Sequence, residues 1–231
     1  MPIARTGNFL TVDDIGFTPS LGIESGNMDA CIREVNRLGL KGVFGCPCFG
    51  FRETDLDFLP RMPQLIQVWL WEVSIGDVSG IYALEDLQLF NVHNRKQGID
   101  FARLPRLKHA IWYYQSKDVN LGRLQGLDQL DVWHFNPKSR SFRDCSVPPS
   151  VQRLEINWAN PSTLDGLPAL PRCKELQLHY CRNLTSLAGI EGIAPNLERL
   201  IVTRSKRCTD IAAIDRLAKL KHVFVNKAFP G

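Results

Sequence analysis

One short apolar pattern recurs along most of the chain. It can be written L-x-x-L-x-L, with other apolar residues allowed at the three fixed positions. Its copies start at residues 40, 65, 84, 107, 127, 151, 173, 197 and 220, at intervals of 19 to 25 residues. A unit of this size cannot bury its apolar edge alone, so neighbouring units must stack into one core. The sequence therefore predicts a solenoid.

Each repeat also has a second apolar half. Leu164, Leu167 and Leu170 are spaced by three, and similar triplets begin at Leu184 and Ile211. Spacing by three predicts a short helical or 3-10 return segment that keeps one face inward. Over roughly residues 40–228 the chain resembles the leucine-rich repeat proteins of the short-repeat kind. The resemblance implies an α/β solenoid, a leucine-rich repeat horseshoe with a parallel concave β-sheet and short helical or 3-10 convex segments.

The two ends of the chain differ from the repeats. An apolar stripe at helical spacing predicts a helix between a candidate N-cap at Asn27 and a stop at Gly39. The stripe consists of Met28, Cys31, Ile32, Val35 and Leu38. We expect residues 1–26 to add extended or irregular structure to this capping helix. The predicted division is an N-terminal cap over residues 1–39 and one continuous solenoid of about nine repeats over 40–231.

Composition narrows the classes of function. The 231 residues carry a net charge of only +4, which is too mild to indicate nucleic acid or an anionic membrane as partner. No apolar run reaches membrane-spanning or signal-peptide length, so the prediction is a cytoplasmic protein without a membrane partner. The usual phosphate-loop, zinc-protease and serine-hydrolase motifs are absent, which favours a non-enzymatic chain without cofactor.

The cysteines fit the repeat rather than a reactive site. An odd count of seven in a chain of this length argues against a disulfide scaffold. Cys46-Pro47-Cys48 has no second pair at zinc-like spacing, so no metal is predicted. Cys48 and Cys181 each lie eight residues after the first position of a repeat, where Asn or Cys faces inward. Both are therefore interpreted as scaffold, and Cys181 is not expected to be a nucleophile.

Side chains between the apolar positions should point to the concave face, because side chains alternate along a strand. That face collects four of the five tryptophans and three of the four tyrosines. Exposed aromatic clusters usually mark interaction sites, and Trp, Tyr and Arg are enriched at interface hot spots. The predicted partner-binding residues are Trp69, Trp71, Glu72, Phe90, Tyr113, Tyr114, Asp131, Trp133, His134, Glu155, Trp158, His179, Tyr180 and Arg204.

Three alternatives remain open at this point. The rings could stabilise one another across strands or be covered by the N-terminal segment. They could stack on a single-stranded nucleic acid, although Arg204 and Lys227 are the only basic residues predicted on the face. Acidic residues near His134 and His179 could form acid–base pairs, although an open face excludes water poorly.

The loop between Phe135 and Val151 carries Lys138, Arg140 and Arg143 and is predicted to lie on the rim or convex side, where a small anionic contact is the functional alternative. Blocks such as TDLDFLPRMPQL and ELQLHYCRNLTSLAGIEGI resemble small bacterial leucine-rich repeat proteins that stand alone. The resemblance implies a scaffold that binds a specific protein, most readily an immunity protein that neutralises a cognate toxin or effector. The alternative is a regulatory subunit or adaptor that binds an intracellular enzyme, since the repeats are also similar to those of a phosphatase-1 regulatory subunit.

Overall fold

The computed structural model describes residues 3–13 and 15–226. It divides near Ala110 into two compact units, which we call the N-terminal unit and the C-terminal unit. Each is built from short parallel strands joined by return segments. Strand β7 (His109–Tyr113) lies at the division. Lys227, predicted to end the last strand, lies outside the described residues.

The N-terminal unit begins with an antiparallel hairpin and continues as parallel repeats. Its strands are β1 (Ala4–Thr6), β2 (Phe9–Val12), β3 (Ser20–Gly22), β4 (Gly42–Gly45), β5 (Gln67–Leu70) and β6 (Leu89–Val92). The first three pair antiparallel, and every later pair in the unit is parallel. The predicted capping helix is present as α1 (Met28–Leu38), and it ends at Gly39 with φ of 63°. The Asn27 side chain makes no capping hydrogen bond there.

The C-terminal unit is a regular run of parallel strands. These are β8 (Gln129–Trp133), β9 (Arg153–Asn157), β10 (Glu175–His179), β11 (Arg199–Thr203) and β12 (His222–Val225). They pair in register, so that Leu130, Leu154 and Leu176 align across the sheet. The apolar residue at the fourth position of the repeat therefore stacks on its equivalent in the next repeat.

The return segments are single turns, as the spacing of three predicted. The 3-10 turns are Ser25–Asn27, Pro47–Phe49, Leu59–Arg61, Ser79–Ala83, Phe101–Arg103, Leu121–Arg123, Phe142–Asp144 and Ala212–Arg216, and α2 (Ile190–Ile193) is one α-helical turn. Their apolar residues meet the strands in the core, where Phe135 stacks on Phe142 at 5.5 Å between ring centroids. Burying each such side chain contributes about 1.5–3 kcal/mol.

One repeat starts three residues later than the sequence predicted. Phe90 pairs with Val68, and Val92 with Leu70, so this repeat begins at Leu87 rather than at Leu84. The backbone agrees, since the N–H groups of Gln88 and Leu89 both donate to the Ile66 carbonyl. Phe90 is fully buried, and its predicted place on the concave face was wrong.

All the cysteines except Cys48 are buried in the scaffold. Cys46 and Cys48 form a disulfide across Pro47, and Cys48 is exposed, so its predicted inward position was wrong. The remaining five are free and buried. Within residues 3–13 and 15–226, no cluster of three or more His, Cys, Asp or Glu side chains could hold a metal. No helix in the same ranges is long and apolar enough to cross a membrane.

Candidate functional site

In the N-terminal unit, the predicted tryptophans are partly buried and pack against a small core. Trp69 and Trp71 lie against a buried cluster that strand β2, Ile15 and Phe44 supply, with Leu10 and Val12 from β2. Trp71 stacks on Phe44 at 6.0 Å and 17° between ring planes. The N-terminal hairpin therefore covers this end of the face, the alternative that the sequence left open.

A buried glutamine fastens the chain that follows the hairpin. The Gln67 side chain is fully buried, and its amide nitrogen donates to the Ile15 carbonyl at 2.6 Å. Its amide oxygen accepts from the Phe17 N–H at 2.7 Å. Gly16 passes so close to Gln67 that any side chain at residue 16 would collide with it, and its φ of 107° also favours glycine. The contacts fix residues 15–18 over strand β5.

Glu72 follows strand β5 directly and is exposed. Its backbone is in the left-handed region, with φ of 54°, and its N–H donates to Nδ1 of His93 at 3.2 Å. The corrected register puts Asn91 and His93, rather than Phe90, at the positions of the next repeat that were predicted to point to the concave face.

In the C-terminal unit, the rings contact other rings instead of an apolar core. Tyr113 stacks on Trp133 at 5.8 Å and 23°, and both are half-buried. His134 lies 6.3–6.4 Å from both ring centroids and is itself exposed. Tyr113 and Trp133, which occupy the seventh position of successive repeats, thus stack on each other.

A second line of rings occupies the eighth position, immediately after each strand. Trp158 and Tyr180 are stacked at 4.2 Å with planes 4° apart, and His134 follows at 6.2 Å from Trp158. We call His134, Trp158 and Tyr180 the ring ladder. The two distances lie on either side of the spacing of paired strands, about 4.8 Å.

The ring ladder stands on unusual backbone. Its three residues and Arg204 have φ between 54° and 59°, a region in which bulky side chains are rare. Asn is the common solution at such a position, and Asn94 is used one repeat after Glu72. Large side chains held there in consecutive repeats are a pointer to function, because strained backbone concentrates at binding sites.

Tyr114, another predicted partner-binding residue, occupies the eighth position of its repeat but does not join the ladder. Its ring packs edge-on against Phe135 at 4.7 Å and against Trp112 at 5.6 Å. Burial raises the pKa of its phenol above the ordinary range, and Asp144 and other nearby acidic groups add to the shift. Tyr114 forms one wall of a cavity of about 680 Å³ that also includes Asp118 and Lys138.

The middle of the face is a network of neutralised charges and amides. Asp131 is almost fully buried. Glu155 accepts from the Arg153 guanidinium and from the Asn157 amide, each at 2.9 Å. A carboxylate held in this way orients a partner more than it attracts one.

His179 belongs to the same network and is not paired with Glu155 as an acid–base couple. Its Nε2 faces the Gln177 amide oxygen at 2.9 Å, and its Nδ1 faces the Thr203 hydroxyl at 2.6 Å. Burial lowers its pKa, Glu155 opposes the shift, and Arg153 adds to it. The histidine is therefore held neutral at pH 7 by its surroundings.

Cys181 is held in the scaffold, as its repeat position predicted. It is buried, and its N–H donates to the Ser205 hydroxyl at 3.0 Å. Burial raises the pKa of its thiol to about 11, which leaves no thiolate for nucleophilic chemistry at neutral pH.

Arg204 lies beside a basic group that the sequence reasoning missed. Together with Arg182, Lys206 and Arg207 it lines a cavity of about 510 Å³ next to Tyr180. The signal available in the sequence was the run Arg204-Ser205-Lys206-Arg207 after a strand, one repeat away from Arg182. The predicted rim loop differs, because its Arg143 is paired with Asp165 at 3.2 Å.

No protein-family model matches the chain, and no curated protein matches it. Among solved structures, the chain is similar to an internalin from Listeria monocytogenes with a TM-score of 0.57 at 16% identity, over 89% of this chain and 66% of that one. A leucine-rich repeat protein from Leptospira interrogans matches with a TM-score of 0.44 at 13% identity, over 90% of this chain and 65% of that one. The chain thus spans just under two thirds of the length of both. The parallel strands and the internalin match together confirm the leucine-rich repeat fold.

Proposed function

We propose that the protein is a non-enzymatic scaffold that binds one specific protein partner on the C-terminal unit. The observation that carries the proposal is the set of rings in that unit, the Tyr113–Trp133 pair and the ring ladder. These rings contact one another at the surface, where an aromatic cluster is an interaction site by default. Their fixed backbone limits the entropy lost when a partner binds.

The other predicted partner-binding residues divide by position. Asp131, Glu155 and His179 would form the polar part of the same surface. Trp69, Trp71 and Phe90 are assigned to the scaffold, because they pack in the N-terminal unit. This narrows the proposed interface to the C-terminal unit.

The experiment is a pull-down from the source cell's lysate, with the captured protein identified by mass spectrometry and then titrated by calorimetry. The test variant is Tyr113→Ala/Trp133→Ala. The control is Val119→Ala/Ile211→Ala, which removes two exposed apolar side chains that lie outside the strands. We expect the test variant to weaken binding at least about tenfold and the control to leave it unchanged. Equal binding by both variants contradicts the proposal.

The finer hypothesis is that the partner is a toxin or effector and that binding neutralises it. Supporting it are the preorganised rings of the C-terminal unit, which suit a tight interface. Co-expression of the captured partner with wild type should restore growth, and co-expression with the Tyr113→Ala/Trp133→Ala variant should not. A partner that is an enzyme and is not toxic, with activity that changes on binding, would favour the regulator or adaptor instead.

A further inference from the structure

The strongest unassigned feature of the C-terminal unit is the basic cavity at the end of the ring ladder. Arg182, Arg204, Lys206 and Arg207 line it, together with Tyr180 and Asn183. No acidic side chain lines it. We call it the basic pocket.

The four cations of the basic pocket share one cavity and have no ion-pair partner among the described residues, whereas the other unpaired cations of this unit, such as Lys117 and Arg123, do not line it. Within residues 111–226, Arg143, Arg153, Arg199, Arg216 and Lys221 each form an ion pair with a carboxylate. None of the four cations of the basic pocket forms an ion pair with any described residue. Four like charges around one cavity repel one another, so an anion that enters it is favoured.

The turn that carries three of these cations is fixed by buried polar contacts. Ser205 is fully buried, and its N–H donates to the Asn226 amide oxygen at 3.0 Å. The Asn226 amide nitrogen donates back to the Ser205 carbonyl at 2.8 Å. On the other wall, the Arg182 guanidinium lies 5.2 Å from the Trp158 ring centroid, in a cation–π contact. The turn that carries the cations is therefore fixed before a ligand arrives.

Tyr180 joins the pocket to the ladder. It lines the basic pocket and also a second cavity of about 270 Å³ whose other walls include His134 and Trp158. A ligand that fills both would place anionic groups among guanidinium groups and an apolar or aromatic group against the rings. Guanidinium groups bind carboxylates through two parallel hydrogen bonds, which gives direction as well as affinity.

We propose that the basic pocket binds an acidic segment of the protein partner, with two or more Asp or Glu carboxylates in the pocket and an adjacent aromatic side chain on the ladder. The inference rests on the proposed function, because it names the chemistry of the segment that the same surface receives. A nucleic acid fits less well, since a strand that left the pocket over the sheet would meet Glu155 and Glu175, whose neighbouring arginines are already paired.

The test uses fluorescence anisotropy with three labelled probes. The first is a peptide of alternating Glu and Asp with one Tyr, and the second is the same peptide with Gln and Asn in their place. The third is an oligothymidylate of equal length. We expect the acidic peptide to bind at least about tenfold more tightly than its neutral match, and to weaken as salt is added.

Two charge-matched variants distinguish binding in the basic pocket from non-specific attraction to the positive charge of the protein. Arg204→Gln/Arg207→Gln should weaken binding of the acidic peptide about tenfold, because it removes two charge-assisted contacts. Lys117→Gln/Arg123→Gln removes the same net charge from exposed positions of this unit outside the pocket, and should change binding less than about twofold. Circular dichroism checks the fold of both, and Arg207→Glu alone serves as a second variant at an exposed position.

Equal binding of the acidic and neutral peptides overturns the inference. So does oligothymidylate binding as tight as that of the acidic peptide and lost in the same variant. The two proposals fail separately. A captured partner that depends on Tyr113 and Trp133 but not on Arg204 and Arg207 leaves the proposed function intact and rejects the acidic segment. Binding of the acidic peptide, with no captured partner that depends on Tyr113 and Trp133, rejects the proposed function and leaves the pocket's preference for acidic segments intact.

Discussion

Trp71 and Trp133 occupy the same seventh position of the repeat, and their surroundings differ completely. Trp71 lies on a buried cluster to which the N-terminal hairpin contributes, and it stacks on the buried Phe44. Trp133 stacks on Tyr113 and touches the exposed His134. One repeat position therefore serves folding in the first unit and remains available for binding in the second. The surroundings differ because the N-terminal hairpin and Ile15 pack against Trp71, whereas Trp133 packs against neighbouring rings.

The largest expected difference comes from truncating these two tryptophans. Trp71→Ala should lower the free energy of unfolding by about 3 kcal/mol, because it leaves a cavity in a packed cluster. Trp133→Ala should lower it by about 1 kcal/mol, since only stacking with neighbouring rings is lost. Urea unfolding of the matched pair measures both. Equal losses would mean that the Trp133 ring is as structural as the Trp71 ring.

A smaller loss of stability is expected when residues 15–18 lose their contacts with Gln67. Gln67→Leu should cost about 1–3 kcal/mol, because it leaves the part-buried Phe17 N–H and the buried Ile15 carbonyl without their partner. Amide hydrogen exchange at Phe17 should accelerate. The control is Gln129→Leu, at the same third position of its repeat in the C-terminal unit, which should leave exchange at Phe17 unchanged. Unchanged exchange in Gln67→Leu would show that the glutamine does not hold residues 15–18 in place.

The smallest effect concerns pH and the C-terminal unit alone. The folded pKa of His179 lies below its ordinary value of 6.5, chiefly because the ring is partly buried. The folded state thus binds its proton less readily than the unfolded state does. The contribution of His179 to stability is complete above 6.5 and is lost as the pH falls toward the folded pKa.

Two measurements check the sign. Imidazole proton shifts should give a midpoint for His179 below 6.5. Urea midpoints should fall between about pH 7 and pH 5, and less steeply in His179→Gln, which retains a side chain able to bond Gln177 and Thr203. A midpoint above 6.5 would contradict the burial argument.

The comparison also explains where sequence reasoning succeeded and where it failed. In strands β8 to β10 of the C-terminal unit the apolar and polar positions alternate, and strands β8 to β12 have their predicted register. In strand β6 all four residues are buried, because the segment around Gly16 reaches Leu89 on the face that should be outward. A strand that is buried on both faces loses its alternation, so Leu87 and Leu89 could be read as either register. The wrong prediction for Phe90 therefore arises because the segment around Gly16 covers the outward face of strand β6.

The sequence analysis did not predict the basic pocket, and the reason is different. Its walls come from turns of two successive repeats, and Arg204 points there because its backbone is left-handed. Column counting along strands assigns directions only to residues in extended conformation. For the same reason Tyr114, whose φ is not positive, leaves the line that Trp158 and Tyr180 form.

The left-handed residues after strands β8, β9 and β10 carry the ring ladder, so its spacing sets which partner can follow it. The strands beneath it are about 4.8 Å apart. An α-helix laid along it presents side chains every 5.4 Å, so it drifts out of step by only about 0.6 Å per rung. An extended strand presents them about every 6.7 Å on one face and drifts by about 1.9 Å. The ring centroids are 6.2 Å apart from His134 to Trp158 and 4.2 Å apart from Trp158 to Tyr180, so their average is nearer to the turn of a helix than to the pleat of a strand.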